Sequence, residues 1–359
     1  MIFKMLKMRL KFKKPKKCKI LIYDGTESTL IRKNLPRKSV EILWNRGELV
    51  HIPCLLRAIS SPLNFLLKPR QAYEDAFIGL CRPRIIVTFI DNNPAFYRLK
   101  SRWPNVQTAS IQNGFREINR QFREKFGDCS RVDVMFVQGL AIGKLLGKFI
   151  KGKIIPLGSL KNNFYVKENK KKLPRSILFL SQYREKPKNF SCFFKDGEKR
   201  VTYEEFYDPE RRLLAYLQKY LAEKKQPLFI CGCSHDSSKE EEKFFSDRIG
   251  STDFEFLPQT HPFSSYRWIE RADRIVFIDS TLGYEALARG KRAAAFPCRG
   301  KNWGSKTRTF GWPERLPDTG PFWANRLTRK SFQSVLHSVT NLSDRDWEKV
   351  LSQVMPSVS

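Results

Sequence analysis

The sequence of 359 residues is poor in acidic side chains and has no long apolar run. Its 36 Asp and Glu stand against 67 Lys and Arg, which gives a formal net charge of +31. The most apolar stretch, around 140–157, is interrupted by four lysines, so we expect no segment that spans a bilayer. A hydrophobic share of 41% excludes a disordered chain and predicts two globular domains at this length. The charge calls for an anionic partner, either a nucleic acid or a membrane surface.

Side chains that ligate metals are few and badly spaced for that purpose. The four histidines lie at no zinc-like spacing from paired cysteines, and the eight cysteines are scattered without a Cys-x-x-Cys pair. The sequence also lacks a GxGxxG motif, a P-loop and an HExxH motif. We therefore expect no metal centre and no cofactor, and thiols that stay reduced in the cytoplasm.

The first 19 residues hold nine basic side chains and no acidic one, with large apolar residues between them. A signal peptide needs an unbroken apolar core, which this segment lacks. A mixture of basic and apolar side chains favours contact with an anionic membrane surface. A solvated, frayed basic tail is the alternative interpretation.

Short apolar runs alternate with stretches of helical spacing along the rest of the chain. The runs at 18–23, 84–90, 106–111 and 132–137 predict one parallel sheet, and those at 176–180, 227–230, 274–278 and 293–296 predict another. The predicted fold class is α/β, with two Rossmann-like domains facing across a cleft. The expected divisions are a basic tail (1–19), an N-terminal Rossmann-like domain (20–165), a C-terminal Rossmann-like domain (166–345) and a closing helix (346–359).

One segment, Arg274–Gly290, joins a predicted strand to a predicted helix through polar residues. Hydroxyls and free N–H groups at a helix N-terminus favour an anion, so Ser280, Thr281 and the backbone of Leu282 are candidate phosphate contacts. Gly283 would let a ligand approach closely, and Glu285 lies one turn after Thr281. The alternative is a helix that Ser280 or Thr281 merely caps.

Three further positions follow predicted strands. His261, held by Pro262, could donate a hydrogen bond to a phosphate, although in isolation a histidine in a surface turn explains it better. Asp91, followed by Asn92, and Glu117 are the N-terminal carboxylates best placed to act as a general base. Around Glu117 we expect an acceptor-side loop that includes Gln112, Asn113, Gly114 and Arg116. A plain turn is the alternative for Asp91.

The run IDSTLGYEALARGKRAAAF resembles the donor-site segment of GT-B glycosyltransferases that build bacterial surface carbohydrates. More closely, the chain resembles the surface carbohydrate biosynthesis family of lipopolysaccharide O-antigen loci. The resemblance is carried by ILWNRGE (Ile42–Glu48), FIDNN (Phe89–Asn93), IQNGFRE (Ile111–Glu117), the region from FLSQYRE (Phe179–Glu185) through EEFYDPE (Glu204–Glu210), FGWPE (Phe310–Glu314) and GPFW (Gly320–Trp323). His261-Pro262 followed by Ser280-Thr281 is also similar to the HP and Ser/Thr motifs of Kdo and sialic acid transferases.

The resemblance implies a metal-independent glycosyltransferase that moves a sugar from a nucleotide-sugar donor, possibly CMP-linked and Kdo-like, to a lipid-linked or glycan acceptor. It implies His261, Ser280 and Thr281 as phosphate contacts and Glu285 as a ribose contact. We expect a cytoplasmic protein, peripheral on the anionic inner membrane, with no nucleic-acid partner. The alternatives are a basic nucleic-acid-binding protein, a sugar-nucleotide epimerase and a polyol-phosphate transferase. The last is disfavoured because those polymerases carry His-Gly where this chain has Asn113-Gly114.

Overall fold

The computed structural model describes most of the chain: residues 9–25, 28–32, 35–46, 48–115, 124–127, 130–168, 171–187, 194–196, 199–250, 254–300 and 308–358. Residues 1–8 of the basic segment lie outside these ranges, as do two predicted site residues, Arg116 and Glu117. The chain divides into two compact units, one within Met1–Gly114 and Arg123–Phe164 and the other within Phe115–Phe122 and Tyr165–Ser359.

The first unit is built on a six-stranded parallel sheet. The described strands of this unit are β1 (Arg9–Lys11), β2 (Ile20–Tyr23), β3 (Val40–Leu43), β4 (Leu49–His51), β5 (Ile85–Thr88), β6 (Gln107–Ile111), β7 (Arg131–Val137) and β8 (Lys151–Pro156). Strands β1 and β4 form a separate short pair, and the other six form the sheet. The sheet order is β3-β2-β5-β6-β7-β8, and β1 pairs with β4 in parallel. Consecutive apolar residues such as Leu21, Ile22 and Tyr23 are all fully buried, as is typical of parallel strands covered on both faces.

Along the chain, the helices of the first unit lie between its strands or after the last of them. They are α1 (Ser28–Arg32), α2 (Ile52–Ile59), α3 (Pro62–Leu67), α4 (Pro69–Cys81), α5 (Pro94–Tyr97), α6 (Leu99–Arg102), α7 (Leu140–Leu146) and α8 (Leu160–Phe164), with a 3-10 turn at Arg37–Ser39. Proline occupies the first turn of α2, α3, α4 and α5, where its missing N–H costs no helical hydrogen bond.

The second unit contains a seven-stranded sheet. Its strands are β9 (Leu173–Leu180), β12 (Leu228–Cys231), β13 (Phe254–Leu257), β14 (Ala272–Phe277), β15 (Ala293–Ala295), β16 (Thr319–Gly320) and β17 (Trp323–Ala324), and a separate hairpin holds β10 (Phe194–Asp196) and β11 (Lys199–Val201). The order is β13-β12-β9-β14-β15-β17-β16, parallel except for β16 against β17.

The helices of the second unit bury the faces of this sheet. They are α9 (Tyr203–Lys224), α10 (Ser238–Ile249), α11 (Ser264–Arg271), α12 (Thr281–Ala288), α13 (Arg329–Asn341) and α14 (Asp344–Val358). Residues from α9, α13 and α14 join the same apolar core as the strands, among them Leu213, Leu336 and Trp347. A capping box fixes the start of α9, where the Thr202 hydroxyl accepts the Glu205 N–H and the Glu205 side chain accepts the Thr202 N–H.

In each sheet the chain order of the parallel strands reverses once. In the first unit the chain moves outward from β2 to β3 and then back past β2 to β5, so the reversal lies between β2 and β5. In the second unit it lies between β9 and β14, which gives the doubly wound order of a Rossmann sheet. Open parallel sheets bind ligands beyond the carboxyl ends of the strands at such reversals.

The structure confirms the predicted α/β class with two Rossmann-like sheets. The apolar runs that predicted strands lie in β2, β5, β6, β7, β9, β12, β14 and β15. One difference concerns Phe115, which belongs with the second unit rather than with the strands that precede it in the chain. Over the described residues, no helix combines the length and apolarity that a membrane span requires.

Candidate functional site

The candidate site lies at the carboxyl edge of the second sheet, where β9 and β14 are neighbours. Gln182 follows β9, and Asp279 and Ser280 follow β14. The Asp279 N–H donates to Gln182 Oε1 at 3.4 Å, so a hydrogen bond joins the two strand ends directly. The predicted phosphate turn, Ser280–Gly283, therefore lies at the reversal point of the sheet, as its sequence position suggested.

Ser280 precedes α12 with an extended backbone (φ −71°, ψ 130°). Within the described residues its hydroxyl makes no capping hydrogen bond to the helix. The simple capping interpretation of Ser280 is therefore not what the structure shows. Ser280 immediately precedes the first turn of α12, whose N–H groups carry a partial positive charge that favours an anion.

Thr281 has a partner from a distant motif. Its Oγ1 accepts the backbone N–H of Phe115 at 3.0 Å, and the Phe115 ring stacks on Tyr284 with centroids 5.7 Å apart. A hydroxyl that accepts one hydrogen bond keeps its own proton to donate. Thr281 thus holds the backbone of Phe115 against α12 and retains a donor for a ligand.

The stack continues beyond Tyr284. Phe310 stacks on the other side at 5.4 Å, and Trp323 stacks on Phe310 at 4.9 Å. These rings belong to the FGWPE and GPFW motifs, which the sequence analysis quoted without assigning them a role. Their role in the structure is to pack a column of aromatic rings behind the first turn of α12.

Packing gives Gly283 a reason to be glycine. A Cβ on this residue would lie 2.3 Å from the ring of Phe277, far inside van der Waals contact. The close approach of α12 to β14 is therefore sufficient to require glycine here. The predicted approach of a ligand at this residue stays a prediction.

Glu285 and His261 are each held by neighbours. Glu285 is buried, and the Tyr266 hydroxyl donates to its Oε2 at 2.6 Å, so the carboxylate is not an open acceptor on the helix surface. His261 Nδ1 accepts the Phe263 N–H at 3.1 Å, which makes Nε2 the protonated nitrogen of the neutral ring. Because Nε2 is buried, contact with a phosphate requires this side chain to shift.

A buried arginine that the sequence analysis did not single out connects the site. Arg299 is 0% exposed and its Nη1 donates to Gln182 Oε1 at 2.6 Å and to Asp279 Oδ1. Its Nη2 donates to Glu210 Oε2 at 3.3 Å, and its Nε donates to the Phe206 carbonyl at 3.1 Å. Three separate segments therefore meet on one guanidinium group.

The two carboxyl groups beside Arg299, those of Asp279 and Glu210, have pKa values shifted in opposite directions. Burial alone would raise the pKa of Asp279, but Arg299 and Arg308 hold it below its usual value, with Arg308 Nη1 at 2.9 Å from Oδ2. Burial raises the pKa of Glu210 to about 7, although Arg299 opposes the rise. Glu210 Oε1 is buried and has no hydrogen-bond partner within the described part of the chain, which suits a protonated carboxyl.

The sequence did contain a signal for this cluster. Gln182 lies in FLSQYRE and Glu210 in EEFYDPE, two motifs that supported the family resemblance. Nothing in either motif identifies the other as its neighbour. Arg299 follows the short strand β15 and carries no motif of its own, so sequence reasoning missed it.

The predicted acceptor-side residues form a tight cluster in the first unit. Asp91 is fully buried, and its Oδ1 accepts the Asn113 N–H at 3.2 Å. The Gln112 side chain donates to the Gly114 carbonyl and accepts the Gln138 N–H, both at 2.9 Å, while Asn92 is exposed. The structure thus gives Asp91 and Gln112 roles in holding the strand ends, and their chemical roles stay predictions.

At the reversal point of the first sheet, Asp24 and Gly25 follow β2. Asp24 is buried with a left-handed backbone (φ 78°), and Arg46 Nε donates to its Oδ2 at 2.8 Å. A Cβ on Gly25 would lie 2.2 Å from the Trp44 ring. The sequence analysis assigned these residues no functional role, although an Asp-Gly pair directly after the first strand was the available signal.

The comparisons with known proteins agree with this architecture. A family model described as "putative O-antigen biosynthesis protein" matches residues 109–357, well over half of the chain. No curated protein matches the sequence.

Solved structures match nearly the whole chain at low sequence identity. A structure of S. aureus MnaA with UDP aligns with a TM-score of 0.55 and 11% identity, covering 96% of this chain and 92% of that one. A protein from Listeria monocytogenes described as "putative UDP-N-acetylglucosamine 2-epimerase" gives 0.57 and 11% over the same shares. The Neisseria meningitidis UDP-GlcNAc 2-epimerase bound to UDP-GlcNAc gives 0.50 and 12%, over 98% and 96%. These likenesses confirm the predicted GT-B-like fold.

Gly283→Ala tests whether packing or a ligand requires the glycine. We expect the free energy of unfolding to fall by about 1–3 kcal/mol because the new methyl group overlaps the Phe277 ring. Urea unfolding measures the change. Gly79→Ala is the matched control, since its Cβ would meet nothing closer than 3.6 Å. A variant as stable as wild type that loses only ligand binding would contradict the packing explanation.

Glu210→Gln tests whether the Glu210 carboxyl, which is buried beside Arg299, is protonated in the folded protein. With a pKa near 7 when folded and an ordinary value near 4.5 when unfolded, Glu210 binds a proton on folding between those values. The free energy of unfolding should therefore fall as pH rises through this window, by about 3 kcal/mol at most. Glu210→Gln removes this slope.

Urea unfolding of wild type and variant across that window measures the difference. Glu223→Gln, exposed on the same helix, is the control and should keep the wild-type slope. Parallel pH profiles for wild type and Glu210→Gln would show that Glu210 is ionised throughout.

Proposed function

Because the chain belongs to this family of O-antigen biosynthesis proteins, we propose that it is a GT-B glycosyltransferase that transfers a sugar from a nucleotide-sugar to a lipid-linked or glycan acceptor. The observation that carries the proposal is the Ser280 turn at the reversal point of the second sheet. There, Ser280, whose hydroxyl makes no capping hydrogen bond, immediately precedes the first turn of α12.

The donor phosphate would bind at Ser280, Thr281 and the amide groups that follow, with His261 as a further contact and Glu285 near the ribose. Negative charge develops on the leaving phosphate during transfer. Fixed donors at this position stabilise that charge, and the loss of one such donor typically raises the barrier by about 3 kcal/mol. This scheme requires no metal and no cofactor.

The acceptor would bind at the predicted acceptor-side residues. Asp91 and Glu117 are the proposed bases for the acceptor hydroxyl, with Asn92, Asn113 and Arg116 as proposed contacts. The basic surface of the chain would keep the enzyme at the inner membrane, where lipid-linked acceptors are presented. Within this proposal the donor is a CMP-linked, Kdo-like sugar, which rests on the His261-Pro262 and Ser280-Thr281 motifs alone.

A second candidate is a sugar-nucleotide epimerase. The observation in its favour is that the Listeria and Neisseria structures described above carry that name, and that the latter contains UDP-GlcNAc. Their identity to this chain, 11% and 12%, supports a shared fold and leaves the chemistry to experiment.

Titration calorimetry with CMP, UDP and GDP tests the donor site. We expect one nucleotide to bind, and Ser280→Ala to weaken it about tenfold or more because a hydrogen bond to a charged phosphate is lost. Ser352→Ala, on the exposed face of α14, is the matched control and should bind as wild type does. If none of the three nucleotides binds, the donor-site assignment is wrong.

Reaction without an acceptor separates the two enzyme classes. A glycosyltransferase should leave a nucleotide-sugar unepimerised when no acceptor is present, because its reaction passes the sugar to an acceptor and does not invert a carbon of the sugar ring. Incubation of the full chain with UDP-GlcNAc and with CMP-Kdo, followed by NMR of the sugar, measures this. Appearance of an epimer would favour the second candidate.

A further inference from the structure

Helices α2 and α3 of the first unit expose an unusual amount of apolar surface. Both pack on α4, yet none of the six described residues of α3 is buried, although four of them are Leu or Phe. Leu63, Leu66 and Leu67 are 70%, 78% and 71% exposed. With two exposed residues of α2, the set defines what we term the leucine surface: Leu56, Ile59, Leu63, Leu66 and Leu67.

The basic N-terminal segment is attached to the same place. Strand β1 pairs with β4 in parallel, with Lys11 opposite His51, and α2 begins at the next residue. The His51 ring nitrogen Nδ1 lies 2.8 Å from the Lys13 carbonyl, which holds the segment beyond the strand. Leu10 and Phe12 of this segment are themselves 50% and 77% exposed.

The exposed charges on α2, α3 and the N-terminal segment are basic. The nearest acidic residues, Glu74 and Asp75 of α4, are buried and half-buried, and they pair with Arg70 and Arg102 respectively. Residues 49–73 include Arg57, Lys68 and Arg70 and no Asp or Glu, and residues 9–19 include seven basic side chains and again no acidic one. Arg57, Lys68 and Arg70 are exposed. Glu41 and Glu48, the acidic residues on or beside β3 and β4, are half-buried.

An apolar patch ringed by cations selects among the partners that could cover it. A second copy of the chain would bring two positive surfaces together, which like-charge repulsion opposes. RNA would satisfy the cations and leave the leucines in water. An anionic bilayer satisfies both, because acyl chains take up the leucines while the lipid phosphates neutralise the arginines and lysines.

We propose that the leucine surface, together with β1, is the face by which this protein docks on an anionic phospholipid bilayer. The inference extends the membrane location in the proposed function by naming the surface responsible. Docking here would bring the first unit, the proposed acceptor side, to the membrane. The side chains enter the interface without crossing it.

Flotation of the full chain with vesicles tests the proposal. We expect binding to vesicles of phosphatidylcholine with phosphatidylglycerol, little binding to phosphatidylcholine alone, and a decrease with added salt. Leu63→Ser, Leu66→Ser and Leu67→Ser combined should lower the bound fraction about tenfold, since three apolar side chains leave the interface. The replaced side chains are exposed, so the unfolding profile of this variant should match that of wild type.

The control variant removes three exposed apolar side chains elsewhere. Leu140→Ser, Leu157→Ser and Val166→Ser combined should float as wild type does. Equal flotation of the leucine variant and wild type, or wild type that does not float, would overturn the proposal. So would light scattering that shows a dimer which the leucine variant splits.

The same samples separate this inference from the proposed function. Nucleotide binding by calorimetry uses neither vesicle nor acceptor, so its failure alone would affect the donor site and leave the docking surface standing. Flotation lost in the leucine variant with nucleotide binding retained supports docking through this surface. Flotation retained with nucleotide binding lost in that variant overturns it.

Discussion

The second unit depends on one buried positive charge. Arg299 contacts Gln182 beyond the end of β9, Asp279 beyond the end of β14 and the first half of α9. It thus joins the two strands that flank the reversal point to the helix that packs behind them. A guanidinium group removed from water requires such partners, since an unpaired buried charge costs several kcal/mol. Asp279 supplies a close ionic contact, and Gln182 and the Phe206 carbonyl supply neutral acceptors. The position of Ser280, directly after Asp279, follows from this arrangement.

A column of aromatic rings supports the same turn from another direction. Phe115, Tyr284, Phe310 and Trp323 stack in succession, and Gly283 lets the helix approach Phe277. Rings stacked in this way resist rotation more than aliphatic side chains of equal volume. The first turn of α12 is therefore held by ionic contacts at its strand end and by ring packing along its side. Such a turn can present N–H groups and a hydroxyl to an anion with little reorganisation.

Some of this could be predicted from the sequence, and the reasons are local. Apolar runs such as Ile20–Tyr23 predict buried parallel strands because every residue in them must avoid water, and Ser280-Thr281 after such a run predicts a helix start. Arg299 could not be predicted, because its partners lie far from it in the chain and no periodicity connects them. For Asp91 and Glu285 the sequence shows that a carboxylate is present, but it does not show how buried that carboxylate is or what donates to it. Burial and a neighbouring donor decide whether a carboxylate is open to a ligand, and neither can be read from spacing.

The attachment of Phe115 bears on how the chain can be divided. This residue precedes β7 and β8, the last two described strands of the first unit. Its N–H nevertheless donates to Thr281 and its ring stacks on Tyr284, both residues of α12. A fragment that begins at Tyr165 would contain the whole second sheet and still lack this piece, leaving one face of Tyr284 and the Thr281 hydroxyl uncovered. The second unit is therefore not a module that can be cut out or exchanged at a single junction. A chimera that exchanges the second unit must therefore also carry Phe115.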